Sequence, residues 1–142
     1  MKKIIMLALI ATTLFACNTN NPEQNQLLGT WSEPLGVQVS VNALTFGADG
    51  IAVYANIPDT TMPISSTGGG TYGQMNYVVE KNSLCFSGNG VKYSEIGLPI
   101  DTIPFEYDTP FAILENKLVI DSFSYDGGIM TEFIKPLILY KQ

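Results

Sequence analysis

Residues 43–54 read ALTFGADGIAVY, two apolar runs separated by the polar turn at residues 47–50. The same arrangement recurs at residues 77–86 (YVVEKNSLCF) and at residues 111–120 (FAILENKLVI). Short runs of β-branched, aromatic and other apolar residues, joined by a few turn residues, are typical of β-hairpins. The sequence therefore predicts three hairpins and places the chain in the all-β class.

Further strands are predicted on both sides of these hairpins, near residues 28–32, 91–96, 103–107 and 129–140. The total then comes to about eight to ten strands. An open sheet of that size curls or splits, because each strand adds twist. We therefore expect an antiparallel up-and-down barrel, with a two-layer β-sandwich as the alternative.

The N-terminus carries an export pattern. Lys2 and Lys3 precede a mostly apolar run at residues 4–15. Twelve helical residues cover about 18 Å, which is less than the roughly 30 Å of a bilayer core, so a secretory signal fits better than a membrane span. Residues 14–17 (LFAC) resemble the lipobox, in which the cysteine is lipidated and becomes the new N-terminus. We expect residues 1–16 to be the signal peptide and Cys17 to carry the lipid.

The segment after Cys17 is polar and rich in Asn and Gln, so residues 17–26 are predicted to form a lipidated flexible tether, followed by one domain at residues 27–142. Asn18 follows the cysteine, where an aspartate would resemble an inner-membrane retention signal. We therefore expect the outer membrane. The periplasmic face is favoured over the cell surface because no acidic cluster follows Cys17.

The charge balance excludes several functions. The chain has neither arginine nor histidine, and without Lys2 and Lys3 it keeps five lysines against thirteen carboxylates, a formal charge of −8. Nucleic acid is not an expected partner, because phosphate binding needs clustered cationic groups. The missing histidine removes the usual general base and the commonest zinc ligand. The chain is therefore not expected to be an enzyme or to hold a metal or cofactor.

Two other groups could carry chemistry. Glu106 and Asp108 share one strand face, but that face looks solvated, whereas a catalytic carboxylate pair needs one group in apolar surroundings. Cys85 lies in the apolar run at residues 84–86, which predicts a small buried side chain. Neither group indicates catalysis.

A family resemblance begins at residues 27–31 (LLGTW). Gly29-Thr30-Trp31 resembles the Gly-x-Trp signature that opens the first strand of lipocalins. Together with Leu44-Thr45-Phe46 and Asp49-Gly50, the opening is similar to that of lipocalin-like lipoproteins of diderm bacteria. The resemblance implies a lipocalin-like barrel whose closed end is plugged by the indole of Trp31.

A closed barrel with apolar inward side chains would suit a small hydrophobic ligand. Alternation puts Ile103, Phe105 and Tyr107 on one strand face, and Val37, Val39 and Val41 alternate in the same way. The candidate ligand-binding residues are Trp31, Val39, Val41, Phe46, Tyr54, Tyr77, Phe105 and Tyr107.

The alternative is that the same side chains pack against each other and fill the core, as they often do in small barrels. The protein would then act through its surface, as an adaptor or accessory module for a protein partner. A cavity of some hundreds of Å³ lined by Phe105, Tyr107 and Val39 would favour ligand binding inside the barrel, and a packed interior would favour surface interaction.

Overall fold

The computed structural model describes residues 22–36, 40–58 and 71–142. These residues form one short helix, α1 (Pro22–Leu27), and eight strands. In chain order, the strands are β1 (Gly29–Ser32), β2 (Ser40–Phe46), β3 (Ile51–Pro58), β4 (Thr71–Glu80), β5 (Ser83–Tyr93), β6 (Pro99–Leu114), β7 (Lys117–Ile120) and β8 (Leu137–Lys141).

The strands close into a barrel, so the all-β, antiparallel up-and-down prediction is confirmed and the sandwich alternative is wrong. Each strand pairs with the next one in the chain, and β8 pairs with β1 through Trp31↔Lys141 and Ser32↔Tyr140. All of these pairs are antiparallel. Where neighbouring strands pair around the barrel, no strand has an unpaired edge. Closure of this kind is a usual solution for a sheet of eight strands.

The three predicted hairpins are confirmed as β2–β3, β4–β5 and β6–β7. Each turn contains a residue with a left-handed backbone: Gly50 has φ +78°, Lys81 +55° and Glu115 +59°. The strand predicted at residues 91–96 is confirmed only for residues 91–93, which extend β5, because residues 94–96 lie in the connection to β6. The strand predicted at residues 103–107 is part of β6, which runs for 16 residues. This merging brings the count down to eight.

The barrel has two different ends. We call the end with α1 and the turns at residues 47–50, 81–82 and 115–116 the lower end, and the end with the connections at residues 94–98 and 121–136 the upper end. At the lower end Leu27 of α1 packs into the core beside Trp31, whose indole Nε1–H donates a hydrogen bond to the Leu27 carbonyl (2.6 Å). Helix α1 therefore covers this end.

The upper end is filled by the connection between β7 and β8, residues 121–136, which we call the plug segment. It turns back on itself through the paired backbone hydrogen bonds of Phe123 and Ile134 (2.8 and 3.0 Å), and the Phe123 side chain is fully buried. Two inward glycines make room for it. A Cβ on Gly73 would lie 2.7 Å from Tyr125 Cδ2, and one on Gly90 would lie 2.5 Å from Ile129 Cδ1.

The sheet opens at the place where the plug segment enters. The pairs between β4 and β5 end at Asn76↔Ser87, so the upper halves of the two strands separate. Above this point β5 pairs only with β6, and the two strands form a hairpin whose described pairs continue to Tyr93↔Pro99. The plug segment lies against the inner face of this hairpin, where Gly127 approaches the Phe105 side chain.

The structure differs from two sequence-based expectations about local structure. The predicted strand at residues 129–140 is wrong for residues 129–136, because only Leu137–Lys141 pairs with β7 and the preceding residues belong to the plug segment. Residues 22–26, which the sequence assigned to the tether, lie in α1, whose Leu27 is buried in the core. The single helix of the described residues is far too short to cross a membrane.

Candidate functional site

Three of the candidate ligand-binding residues lie in the core of the lower end. Trp31 is buried, and the Lys141 ammonium lies 4.5 Å from the centre of its ring. Phe46 and Tyr77 meet edge to face, with 5.0 Å between ring centroids. The Tyr77 hydroxyl donates to the Gly47 carbonyl (2.7 Å) at the rim of this end. The aromatic surface of these residues is thus used in packing within the protein.

Phe105 and Tyr107 share the inward face of β6, as the sequence predicts, but the plug segment covers that face. Tyr107 donates a hydrogen bond to the Ser124 carbonyl (2.6 Å) and accepts one from the Ser124 amide (3.0 Å). Burial raises the pKa of Tyr107 far above its ordinary value. The phenol is therefore neutral and anchors the plug segment to the barrel wall.

The candidate Val41 does not reach the interior of the barrel. Val41 is buried, but it lies on the opposite face of β2 from Leu44 and Phe46, outside the core cluster. The register between β2 and β3 is unbroken, so alternation alone puts Val41 on the outer face. Val39, like Cys17, lies outside the described residues.

Tyr54 is the candidate that lies at an accessible site. Its ring stacks on that of Tyr125 in the plug segment, with centroids 5.1 Å apart and planes 7° apart. Its hydroxyl donates to Asn42 Oδ1 (2.6 Å), which also accepts from Asn56 Nδ2 (3.0 Å). Burial, together with the nearby Tyr125 and Glu33, raises the pKa of Tyr54 to about 12.

A cleft of about 210 Å³ opens beside this stack, between β3 and the plug segment; we call it the upper cleft. Its apolar wall is made by Tyr54, Phe123, Tyr125 and Ile134, and its polar groups belong to Asn56, Ser124, Thr131 and Glu132. Two separate chain segments thus form one concave surface bordered by the Tyr54–Tyr125 stack, and the fully buried Phe123 ring packs against Tyr54. Concave surfaces of this kind are common in small-molecule sites.

Asp126 holds the plug segment in the shape that forms the cleft. Its Oδ1 accepts hydrogen bonds from Ser124 Oγ (2.7 Å), Thr131 Oγ1 (2.8 Å) and the Gly128 amide (3.0 Å). Its Oδ2 accepts from the amides of Met130 (3.0 Å) and Thr131 (3.1 Å). Burial alone would raise the pKa of Asp126, but these hydrogen bonds stabilise the carboxylate and hold its pKa below 3.8.

Two other depressions are less suitable for a small ligand. One, of about 500 Å³, is lined only by residues within the stretch 128–135 and opens widely to solvent. The other, of about 260 Å³, lies beside α1 and contacts Glu23, Gln26 and Asn82 as well as residues 111–113 of β6. Neither of them brings several aromatic rings together.

The outer face of β5 and β6 carries the remaining ionisable cluster. Cys85 lies opposite Asp108 in the register, and its Sγ is 3.8 Å from Glu106 Oε1. The side chain is half-buried and faces outward, so the prediction of a buried core cysteine is wrong, because alternation gives the inward positions to Leu84 and Phe86. A hydrogen bond with Asp108, partial burial and the two carboxylates raise the pKa of Cys85 to about 11.

Among the residues that the structure describes, no three acidic or cysteine side chains come close enough together to hold a metal ion. Comparison of the chain with protein-family models, with curated proteins and with solved structures returned no match. The upper cleft is therefore assigned from its own geometry.

Sequence reasoning identified Tyr54 but missed Asn56, Phe123, Tyr125 and Glu132. The available signal was the stretch at residues 122–128 (SFSYDGG), where aromatic and polar residues end in two glycines. Such a stretch breaks strand alternation and marks an ordered irregular segment. Its partner across the cleft, β3, lies far away in sequence and could not be chosen by pattern alone.

Proposed function

We propose that this protein is an envelope lipoprotein with a lipocalin-like barrel that binds a small ligand in the upper cleft. The closed eight-stranded barrel and the burial of Trp31 at its lower end support the lipocalin-like resemblance. The inward residues of both ends are packed against one another, so we assign the ligand to the cleft and not to the barrel interior. We assign binding to this site, and no catalysis.

The observation that carries this proposal is the upper cleft itself. An apolar cavity of about 150 Å³ can hold a benzene molecule. At about 210 Å³ the cleft suits a ligand with one ring and a short substituent. The walls come from a barrel strand and from the plug segment, which Asp126 and Tyr107 hold in place, so the site is preformed.

Lipidation would determine how the cleft is oriented relative to the membrane. Cys17 precedes Pro22, the first residue of α1, by five positions, which span about 18 Å at most. A lipid on Cys17 would hold the lower end of the barrel near the membrane. The upper cleft would then face away from that membrane, toward solutes of the periplasm.

The anchor is tested by fractionating cells that express Cys17→Ser. We expect the variant to leave the membrane fraction, because no thiol remains to take the lipid. Cys85→Ser is the matched control, since it removes the other cysteine, and it should stay membrane-bound. Membrane-bound, normally processed Cys17→Ser protein would contradict the anchor.

Binding in the cleft is tested by NMR on ¹⁵N-labelled protein from residue 17 onward with Cys17→Ser, titrated with phenol, benzyl alcohol and benzylamine. We expect amide shifts near Tyr54, Phe123 and Tyr125, and an unchanged Trp31 indole signal. Ile134→Trp should fill the cleft and abolish the shifts. Leu114→Trp, at an exposed position of the lower end, should retain them. Shifts that centre on Phe46 and Phe86, or no localised shifts with any probe, would overturn the proposal.

A surface-interaction module is the second candidate, and the tip of the β5–β6 hairpin favours it. Tyr93, Ile96, Leu98 and Ile100 all lie exposed there. A photo-crosslinking residue at Leu98 (58% exposed) would then react with a specific protein in the envelope, whereas one at Leu114 (59% exposed), at the other end, would not. Equal labelling from both positions would dismiss this candidate.

A further inference from the structure

The polar groups around the upper cleft offer a ligand almost only acceptors. The Tyr54 hydroxyl and the Asn56 amide both donate to Asn42 Oδ1. The hydroxyls of Ser124 and Thr131 both donate to Asp126 Oδ1. These hydroxyl protons and one of the two Asn56 N–H protons are already engaged inside the protein. Most of the polar positions left for a ligand are therefore acceptors, and a ligand that fits the cleft has to bring its own donors.

The charge at the cleft is negative. Glu132 lies at the rim, and no described residue forms a hydrogen bond or an ion pair with its carboxylate. The nearby Lys135 is placed over the Phe133 ring, 5.9 Å from its centre, and lines the neighbouring depression instead of the cleft. In a chain with six more acidic than basic residues, an anionic ligand would meet net repulsion here.

The apolar wall suits the same ligand chemistry. The stacked rings of Tyr54 and Tyr125 border the concave surface, and the fully buried Phe123 ring packs against Tyr54 (5.2 Å between centroids). A cation close to an aromatic face is attracted by the negative potential of the ring, and this attraction grows when the site is partly shielded from water. A carboxylate at the rim adds a second, longer-range attraction for the same cation.

From this combination we infer that the upper cleft binds a small organic cation, an ammonium group carried on an apolar or aromatic body of about one ring. The inference rests on the proposed function and gives its ligand class. Neutral polyols such as sugars are disfavoured because they need donors from the protein as well as acceptors. Purely apolar compounds would gain no attraction from the exposed Glu132 carboxylate.

The test compares benzylamine with benzyl alcohol, which have nearly the same size and shape but differ in charge at pH 7. We expect benzylamine to bind about tenfold more tightly by NMR titration at low salt, and 0.5 M NaCl to reduce that preference because it screens the charge. Glu132→Gln should weaken benzylamine binding about tenfold and leave benzyl alcohol unchanged.

Glu115→Gln is the matched control, since it removes one exposed carboxylate at the lower end, and it should keep the preference for the amine. Glu132 is exposed, so its variant should fold, which circular dichroism will check. Equal binding of the two probes, or an amine preference that survives Glu132→Gln, overturns the cation inference and leaves the binding proposal intact. If neither probe binds, both proposals fail.

Discussion

The two ends of the barrel are filled by different means. The lower end is filled by apolar and aromatic side chains from the strands and α1, with Leu27, Trp31, Phe46 and Leu118 all buried. The upper end is filled by an irregular segment that is held by hydrogen bonds, above all those of Asp126 and Tyr107. One end depends mainly on the burial of apolar surface, and the other on a small number of directional contacts.

This difference explains why the candidate site lies at the upper end. Apolar side chains that interdigitate leave few voids larger than a water molecule. Backbone turns that are shaped by hydrogen bonds leave concave surfaces with polar atoms at fixed positions. The plug segment thus closes the barrel and at the same time builds the cleft. The described part of the lower end has a packed core, and its depression beside α1 contains only one aromatic ring, that of Phe111.

The largest effect is expected from Phe86→Ala, because Phe86 joins the two ends. Its ring is fully buried and contacts those of Phe46, Tyr107 and Phe123 within 6.5 Å between centroids. Removing it should lower the free energy of unfolding by about 3–5 kcal/mol in urea titrations. Val78→Ala, on the exposed face of β4, is the control and should change it by less than about 0.5 kcal/mol. Two separate unfolding transitions in the variant would show that the ends are independent units.

The next effect is expected from Asp126→Asn, which should destabilise only the upper end. An amide cannot replace a carboxylate that accepts five hydrogen bonds, so we expect the free energy of unfolding to fall by about 3 kcal/mol at pH 7. Asp121→Asn, an exposed position of the same segment, should have little effect.

The pH dependence follows from the lowered pKa of Asp126. A carboxyl group with a lowered pKa in the folded state contributes stability that is fully present above its unfolded pKa, here 3.8, and is lost as the pH falls further. The difference in the free energy of unfolding between the natural protein and Asp126→Asn, measured by urea titration, should therefore become smaller below about pH 4. A difference that stays constant or widens there would contradict the assigned role.

A smaller effect is expected from Gly73→Ala, which tests whether the glycine makes room for the plug segment. The new Cβ would lie 2.7 and 2.9 Å from Tyr125 atoms, so the Tyr125 ring has to move from its stack on Tyr54. We expect the free energy of unfolding to fall by about 1–2 kcal/mol and the near-UV circular dichroism spectrum to change. Tyr125→Ala should remove the clash in the double variant. Strict additivity of the two changes would show that the contact is unimportant.

The smallest effect is expected from Lys141→Met at the lower end. The ammonium lies 4.5 Å from the Trp31 ring centre and donates to the Leu28 carbonyl. Its loss should reduce stability by about 0.5–1 kcal/mol and shift the Trp31 fluorescence. Lys92→Met, an exposed lysine of the β5–β6 hairpin, should leave both unchanged. An effect as large as that of Phe86→Ala would mean that the lower end depends on charge more than we infer.

The hairpins could be predicted because both of their strands lie next to each other in sequence. Alternation and turn chemistry within a dozen residues were sufficient for residues 43–54, 77–86 and 111–120. The prediction that Cys85 is buried was wrong, because a run of three apolar residues does not show which of them face the core. The face of Val41 was equally hard to predict, because the alternation of Val37, Val39 and Val41 does not show whether Val41 lies on the same face as Leu44.

The upper cleft could not be predicted because its parts come together only in the folded barrel. Tyr54 and Tyr125 are separated by 71 positions and meet because β4 and β5 diverge above Asn76. The apolar residues near position 129 predicted a strand, but closure of the barrel needs only residues 137–141 on β7. The remaining residues were free to turn inward against Gly73 and Gly90.

The sequence by itself determined the hairpins, the all-β class and the strand alternation, since these follow from neighbouring side chains and turn residues. The signal peptide at residues 1–16 and the lipid on Cys17 stay predictions. Only the tertiary structure decided what fills the barrel and where a ligand would have access to it. Those outcomes depend on the space left between distant strands, and inward glycines, which carry no hydrophobic signal, set that space.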